Sequence, residues 1–379
     1  MGVAGLSGPR TLLRALLLLP ALAATGSGAA GEPGWPYYGG DQGGRHFSPA
    51  SQINRDNVAE LEVAWIHRSG DMATYGEEMA KTSTQSTPIL LPPAAGESLV
   101  YCTPFNRVIA LDPASGEQRW DFDPAIDRRG DRPFRCRGVS YGEEPALPAG
   151  AHCRHRLYLG THDRKRWAID ARDGKPGADF GDDGQVTLYG AEGYVPGDVS
   201  NSSAPVVADG VVVVGSTVID FVRATTPRGT VRAFDSRSGR PLWQFDPLIG
   251  YRHSGSANVW APMSVDPEHG LLYLPTSAAS PDYYGAARPD AGLYANSIVA
   301  VDLHSGAVRW HFQHVRHDLW DYDTPAQPIL FQWRKNGADI PALAQLTKQG
   351  FVFVFNRLTG EPLWEITEQP VPPSQIPGE

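Results

Sequence analysis

The sequence predicts an all-β chain folded as a β-propeller of four-stranded blades, and three observations carry that prediction. A hairpin motif recurs as VIALDPASGEQRW at 108–120, VRAFDSRSGRPLW at 231–243, IVAVDLHSGAVRW at 298–310 and FVFVFNRLTGEPLW at 351–364, with a decayed copy, RWAIDARDGKPGADF, at 166–180. The anchoring residues Asp112, Asp170, Asp235, Asp302 and Asn356 stand 58, 65, 67 and 54 residues apart, room for one four-stranded sheet and a long loop per period. Gly 41 and Pro 33 make up about a fifth of the 379 residues, a composition rich in turns and poor in long helices.

Taken in order, residues 1–30 read as a secretory signal. Arg10 and Arg14 precede an apolar run from Ala15 to Ala24, and small residues follow through Ala30. The run is too short to span a bilayer comfortably, so export is expected, and 31–379 is read as one partial propeller domain. The segment NVAELEVAWIHRSGD at 57–71 predicts another strand ending in a tryptophan, Trp65. In each motif copy a β-branched or aromatic run forms a strand, and the Asp accepts turn N–H groups. The Gly takes positive φ, and the Trp anchors the return strand. Between copies, PVVADGVVVVGS at 205–216 predicts a strand pair turning at Asp209-Gly210. The copies account for about five to six blades, and the Pro-rich TEQPVPPSQIPGE follows the last. An unclosed ring leaves two sheet edges, and the chain is read as part of a longer gene product.

Cys102, Cys136 and Cys153 fit no zinc spacing; in an exported protein two of them could pair and leave one free. The net charge of -9 and the absence of a basic run exclude a nucleic-acid partner.

The chemistry concentrates in HDLWDYDTPAQP at 317–328. Asp318, Asp321 and Asp323 fall within six residues, and Pro325 and Pro328 exclude a regular helix. An extended strand there would put Asp321 and Asp323 on one face and Trp320 and Tyr322 on the other. Such carboxylates serve as bases or as oxygen ligands for a hard cation, and equally as caps for turn N–H groups.

Together with WPYYGGDQGGRHFSPASQIN (35–54), CRGVSYGE (136–143), NVWAPMSVD (258–266) and LTKQGFVFVFNRLTGEP (346–362), this stretch resembles the pyrroloquinoline-quinone (PQQ) dehydrogenases, in particular the membrane glucose/quinate/shikimate branch. The resemblance runs from Trp35 to the end of the chain. It implies an eight-bladed propeller, of which this chain matches the N-terminal part, with PQQ in a central funnel beside Ca²⁺ or Mg²⁺. The implied activity is oxidation of a sugar, polyol or cyclitol hydroxyl.

Residue by residue, the resemblance implies Asp321 as catalytic base and Lys348 as the cation at the quinone oxygens. It implies Arg137 and Arg68 as contacts to the three cofactor carboxylates, which suit guanidinium forks. Trp260 matches the indole under the ring system. Ser203 and Thr217 are implied hydroxyl contacts, Ser280 sits where other branches offer an amide or hydroxyl, and Gln85 stands where relatives carry an acid. Asp220 and Asp321 are the implied metal ligands, and oxygen-only ligation suits Ca²⁺ or Mg²⁺. Phe221 and Pro133 depart from the glucose-oxidising pattern and leave polyols and cyclitols such as quinate equally open. The branch's N-terminal membrane bundle has no counterpart, so a periplasmic chain is expected, with peripheral membrane association and the acceptor, a quinone or a cytochrome, left open. The other reading of the repeat is a non-enzymatic envelope scaffold, or a truncated, inactive propeller.

Overall fold

The computed structural model describes residues 34–130, 133–188, 195–251, 254–289 and 292–379, so the signal-peptide expectation lies outside the described residues. Five sheets follow one another along the chain, and in each one every strand pairs antiparallel with the next. The first blade is Ile89–Leu90, Leu99–Cys102, Val108–Leu111 and Gln118–Phe122. The second is Ser140–Glu143, His155–Gly160, Lys165–Asp170 and Gln185–Thr187. The third comprises Val206–Ala208, Val211–Val214, Val231–Asp235 and Pro241–Phe245, and the fourth Ser264–Asp266, Leu271–Pro275, Ser297–Asp302 and Val308–Gln313. The fifth has three strands, Ile329–Lys335, Ala338–Leu346 and Val352–Asn356.

Inner strands such as Val108–Leu111 and Leu271–Pro275 are buried along their whole length, because each blade is covered by its neighbours on both faces. The core is therefore the set of interfaces between blades. Ile89, Val100 and Val108 of the first blade pack with Leu157 and Ile169 of the second. Val213 and Ala233 of the third pack with Leu272 and Val299 of the fourth, and Tyr273 and Ile298 of the fourth with Leu343 and Phe355 of the fifth. Burial of apolar area between sheets is the main stabilising term.

The recurrent hairpin has the expected mechanics. Asp112 Oδ1 accepts from the N–H groups of Ala114 and Ser115, Asp302 Oδ1 from those of His304 and Ser305, and Asn356 Oδ1 from that of Leu358. Asp209 and Gly210 have φ of 46° and 75°, the two left-handed residues of a tight hairpin turn. The motif tryptophan does more than anchor its own strand, because it lies on the hairpin glycine of the next blade. A Cβ on Gly306 (φ +70°) would come 2.6 Å from the Trp243 ring, and one on Gly360 2.7 Å from Trp310. Trp243 Nε1 also donates to Leu303 O at 2.8 Å, and Trp310 Nε1 to Arg357 O at 2.9 Å. The repeat thus couples consecutive blades.

Two expectations are corrected. Residues 57–71 form no strand: Val58–Glu60 is a short 3-10 turn and 61–69 have no ladder partner among the described residues. Trp65 nevertheless behaves as a motif tryptophan, lying on Gly116 and donating to Pro113 O at 3.2 Å. In the fifth blade the segment after Gly360 makes only an isolated bridge, Phe355 to Pro362, so the fourth strand is missing and Trp364 is 55% exposed, stacked on Trp333 at 4.2 Å. A strand needs a continuous ladder, and the Pro-rich sequence beyond Ile366 supplies few donors.

Three two-stranded ladders lie between the blades: Thr82–Thr84 with Phe134–Cys136, Val199–Ser200 with Thr217–Val218, and Gly255–Ser256 with Ala279–Ser280. They carry most of the candidate site. A disulfide joins Cys102 to Cys136 and fixes the first of them to the first blade, while Cys153 is free and buried. Among the described residues no helix is long and apolar enough to cross a membrane.

Candidate active site

The three ladders frame a cavity of about 360 Å³ lined by side chains of opposite charge at its two ends. At the cationic end stand Arg135, on the strand Phe134–Cys136, and Arg137, just past its end, with the neutral amide of Gln85 and Thr217 nearby. At the acidic end are Asp220, Asp282 and Asp323.

Trp260 lies between these groups. The Arg137 guanidinium is 5.2 Å from its ring centroid and donates to Trp260 O at 3.5 Å, and to Ser202 Oγ. Burial, with Arg135's charge added, lowers the Arg137 pKa to about 10. The Trp260 indole N–H donates to Asp323 Oδ2 at 2.9 Å, and the Ala278 N–H donates to Asp323 Oδ1 at 2.7 Å. Burial raises the Asp323 pKa, against the attraction of Lys348 and these donors.

HDLWDYDTPAQP is a loop and not an extended strand, since Asp321 has φ 59°. The expected grouping survives by another route. Lys348, in the turn between the last two strands of the fifth blade, donates to Asp321 O at 2.7 Å and Asp321 Oδ2 at 3.1 Å, and reaches Asp323 Oδ2 at 3.4 Å. Trp320 and Tyr322 stack on each other at 5.8 Å. Asp318 has the plain capping role, accepting from the N–H groups of Trp320 and Tyr322. Burial and the neighbouring Asp323 push the Asp321 carboxyl up to about 6 despite Lys348.

Asp282 hydrogen-bonds to Asp220, and burial, this contact and the charges of Asp321 and Asp323 push its carboxyl up to about 8. Two carboxylates in contact inside a cavity need a proton or a cation between them, and an all-oxygen donor set suits a hard cation. Two other groups of metal-ligating side chains have structural work: Asp170 caps its hairpin and Asp266 pairs with Arg357.

Of the residues singled out in the sequence, Gln85, Arg137, Thr217, Asp220 and Trp260 line the cavity, and Asp321 and Lys348 adjoin it through Asp323. Three are placed elsewhere. Arg68 is exposed and off the cavity, because 61–69 runs outside the first blade; the second guanidinium is that of Arg135. Ser280 Oγ turns away to Thr226 Oγ1 at 2.6 Å, and the oxygen presented by that turn is Asp282, two residues on. Ser203 Oγ donates to the main-chain carbonyl of Trp260 and does not line the cavity. Sequence reasoning missed Arg135 and Asp282, although their i, i+2 spacing from Arg137 and Ser280 was a usable signal. It also gave no role to Asp323.

With this geometry established, similarity to known proteins becomes informative. The family model for the β-propeller domain of PQQ glucose/ethanol/alcohol dehydrogenases matches residues 35–379. This chain belongs to the PQQ-dependent dehydrogenase family. Among its relatives, quinoprotein glucose dehydrogenase A of Acinetobacter calcoaceticus is 36% identical over 90% of this chain and 45% of its own length. The glycerol dehydrogenase large subunit of Gluconobacter thailandicus is 37% identical over 95% and 50%, and the quinate/shikimate dehydrogenase (quinone) of Acinetobacter baylyi 36% over 91% and 45%. A solved quinohemoprotein alcohol dehydrogenase of Pseudomonas putida superposes with a TM-score of 0.70 at 25% identity, covering 88% of this chain and 48% of its own. The chain spans about half the length of the curated relatives it matches. The two-ended cavity fits what a PQQ-dependent dehydrogenase must hold: guanidiniums for quinone carboxylates and paired acids for a cation.

Proposed function

We propose that this chain supplies the cofactor site of a PQQ-dependent dehydrogenase acting on a hydroxyl of a sugar, polyol or cyclitol. The observation that carries the reading is the cavity itself, with Arg137 at one end, Asp220 and Asp282 at the other, and Trp260 between them. Arg137 would hold a cofactor carboxylate, Trp260 would give the ring system a flat floor, and Asp220 with Asp282 would ligate Ca²⁺ or Mg²⁺. When bound, PQQ supplies the two-electron acceptor and the cation polarises its carbonyl.

The chain's own part is to position and to move a proton. Asp321 is the general base: its carboxyl, pushed up to about 6, is ionised at neutral pH yet basic enough to accept a hydroxyl proton. Lys348 engages Oδ2 and the main-chain carbonyl of Asp321, which orients the carboxylate. The same ammonium would steady negative charge at the quinone oxygens. Asp323 ties Lys348 to Trp260, so base and ring floor are held by one carboxylate.

Export to the periplasm belongs to the same proposal. It is supported by the Cys102–Cys136 disulfide, a bond that persists in oxidising compartments, and by the signal-like residues 1–30. The test is titration of the purified chain with PQQ, with and without Ca²⁺, read by tryptophan quenching and cofactor absorbance. Stoichiometric, Ca²⁺-dependent binding is expected. A folded chain that leaves PQQ unbound would overturn the reading in favour of a binding scaffold.

A further inference from the structure

The cationic end of the cavity holds more charge than Arg137 alone. Arg135 sits on Phe134–Cys136, paired in register with Ser83 of the parallel strand Thr82–Thr84, and its side chain lines the cavity. Its Nε is buried without a hydrogen-bond partner, and the guanidinium makes no ion pair among the described residues. Among the described residues the Arg137 guanidinium beside it bonds a serine hydroxyl and a main-chain carbonyl, lies against the Trp260 ring, and makes no ion pair.

Several of the other enclosed guanidiniums are paired with a carboxylate. Arg156 is held by both oxygens of Asp179, Arg357 by Asp266 at 2.6 Å, and Arg107 by Asp71 at 2.8 Å. Arg166 is enclosed by the rings of Tyr158, Phe180 and Phe234, and Arg288 donates to the main-chain oxygens of Pro281, Asp282 and Asp318. Arg135 opens instead on the cavity beside a second cation. Two like charges sharing a partly desolvated wall repel, and burying a charge without a partner is costly. An anion between them removes both penalties, and a carboxylate is the planar anion that a guanidinium fork binds in bidentate fashion. The acids lining the same cavity do not supply it, since Asp220 and Asp282 hold each other and Asp323 is taken by Trp260, Ala278 and Lys348.

We propose that Arg135 binds a ligand carboxylate at the cationic end of the cavity, together with Arg137. Only the occupant's identity rests on the PQQ reading. The carboxylate belongs either to PQQ or to an acidic hydroxy substrate of the quinate kind.

The test compares wild type, Arg135→Gln and Arg135→Lys by calorimetric titration in the presence of Ca²⁺. The probes are PQQ, trimesate as a plain tricarboxylate, and, on the PQQ-loaded chain, quinate against glycerol. Thermal melting checks that each variant folds. Arg135→Gln is expected to weaken PQQ or trimesate binding by about tenfold to a hundredfold, the range for a hydrogen bond to a charged group, with Arg135→Lys recovering part of it. Unchanged PQQ affinity with a lost preference for quinate over glycerol assigns the carboxylate to the substrate. Wild-type affinity of Arg135→Gln for PQQ, trimesate and quinate alike overturns the proposal. Arg135-dependent trimesate binding by a chain that ignores PQQ would uphold Arg135 and remove the PQQ reading instead.

Discussion

Replacing Asp321 by Asn separates a base held ready for proton transfer from a structural carboxylate. Asn has the same shape and tolerates the left-handed φ of 59°, and Lys348 keeps its 2.7 Å bond to the main-chain carbonyl. The wild-type carboxyl is pushed from 3.8 up to about 6, first by burial and then by Asp323. Between those pH values the folded chain binds the proton that the unfolded chain releases, so wild-type stability falls as pH rises through this window. The full difference corresponds to about 3 kcal/mol. Asp321 is partly solvated, and the variant loses the 3.1 Å contact from Lys348 to Oδ2, so a net gain of about 1–2 kcal/mol remains. Urea unfolding followed by tryptophan fluorescence should show Asp321→Asn more stable than wild type at about pH 7.5. The advantage should shrink below about pH 6 and vanish near pH 4, while turnover is abolished. A variant less stable at about pH 7.5, or a gain unchanged at about pH 4, would refute the assignment of strain to the ionised carboxylate. Substantial residual turnover would refute its role as base.

On the proposed role of Lys348 at the quinone oxygens, Lys348→Ala should weaken PQQ binding by about tenfold or more, and it should move the Asp321 titration upward because Lys348 lowers that pKa. Fluorescence titration and the acid limb of the pH–rate profile measure the two effects. Gly306→Val should destabilise the fold by about 3 kcal/mol or more, because a side chain there meets the Trp243 ring at 2.6 Å in a backbone conformation that β-branched residues avoid. Denaturant midpoints compared with the half-buried but uncrowded Gly270→Val, also at positive φ, separate the clash from the backbone cost.

The amino-acid sequence by itself determined the architecture and most of the site. Strand, Asp, Gly and Trp recur at near-constant spacing because each blade must solve the same local problem of turning a hairpin, and local problems leave periodic signatures. The segments CRGVSYG, NVWAP, HDLWDYD and LTKQG, which lie outside the hairpin repeat, marked Arg137, Trp260, Asp321 and Lys348 through their resemblance to the PQQ dehydrogenases. What only the tertiary structure decided is which oxygen or guanidinium on a given turn faces the cavity. Ser280 and Asp282 share one turn, yet a hydrogen bond to Thr226, a residue more than fifty positions earlier, points Ser280 away. Arg68 and Arg135 carry the same group, and strand pairing with Ser83 puts Arg135 on the wall while 61–69, left without a ladder, leaves Arg68 in solvent. The left-handed Asp321 likewise broke the alternation that composition suggested, and Lys348 regathered its carboxylate with that of Asp323 from another strand connection. Side-chain direction at such points depends on contacts between residues distant in the chain, which a one-dimensional pattern does not encode.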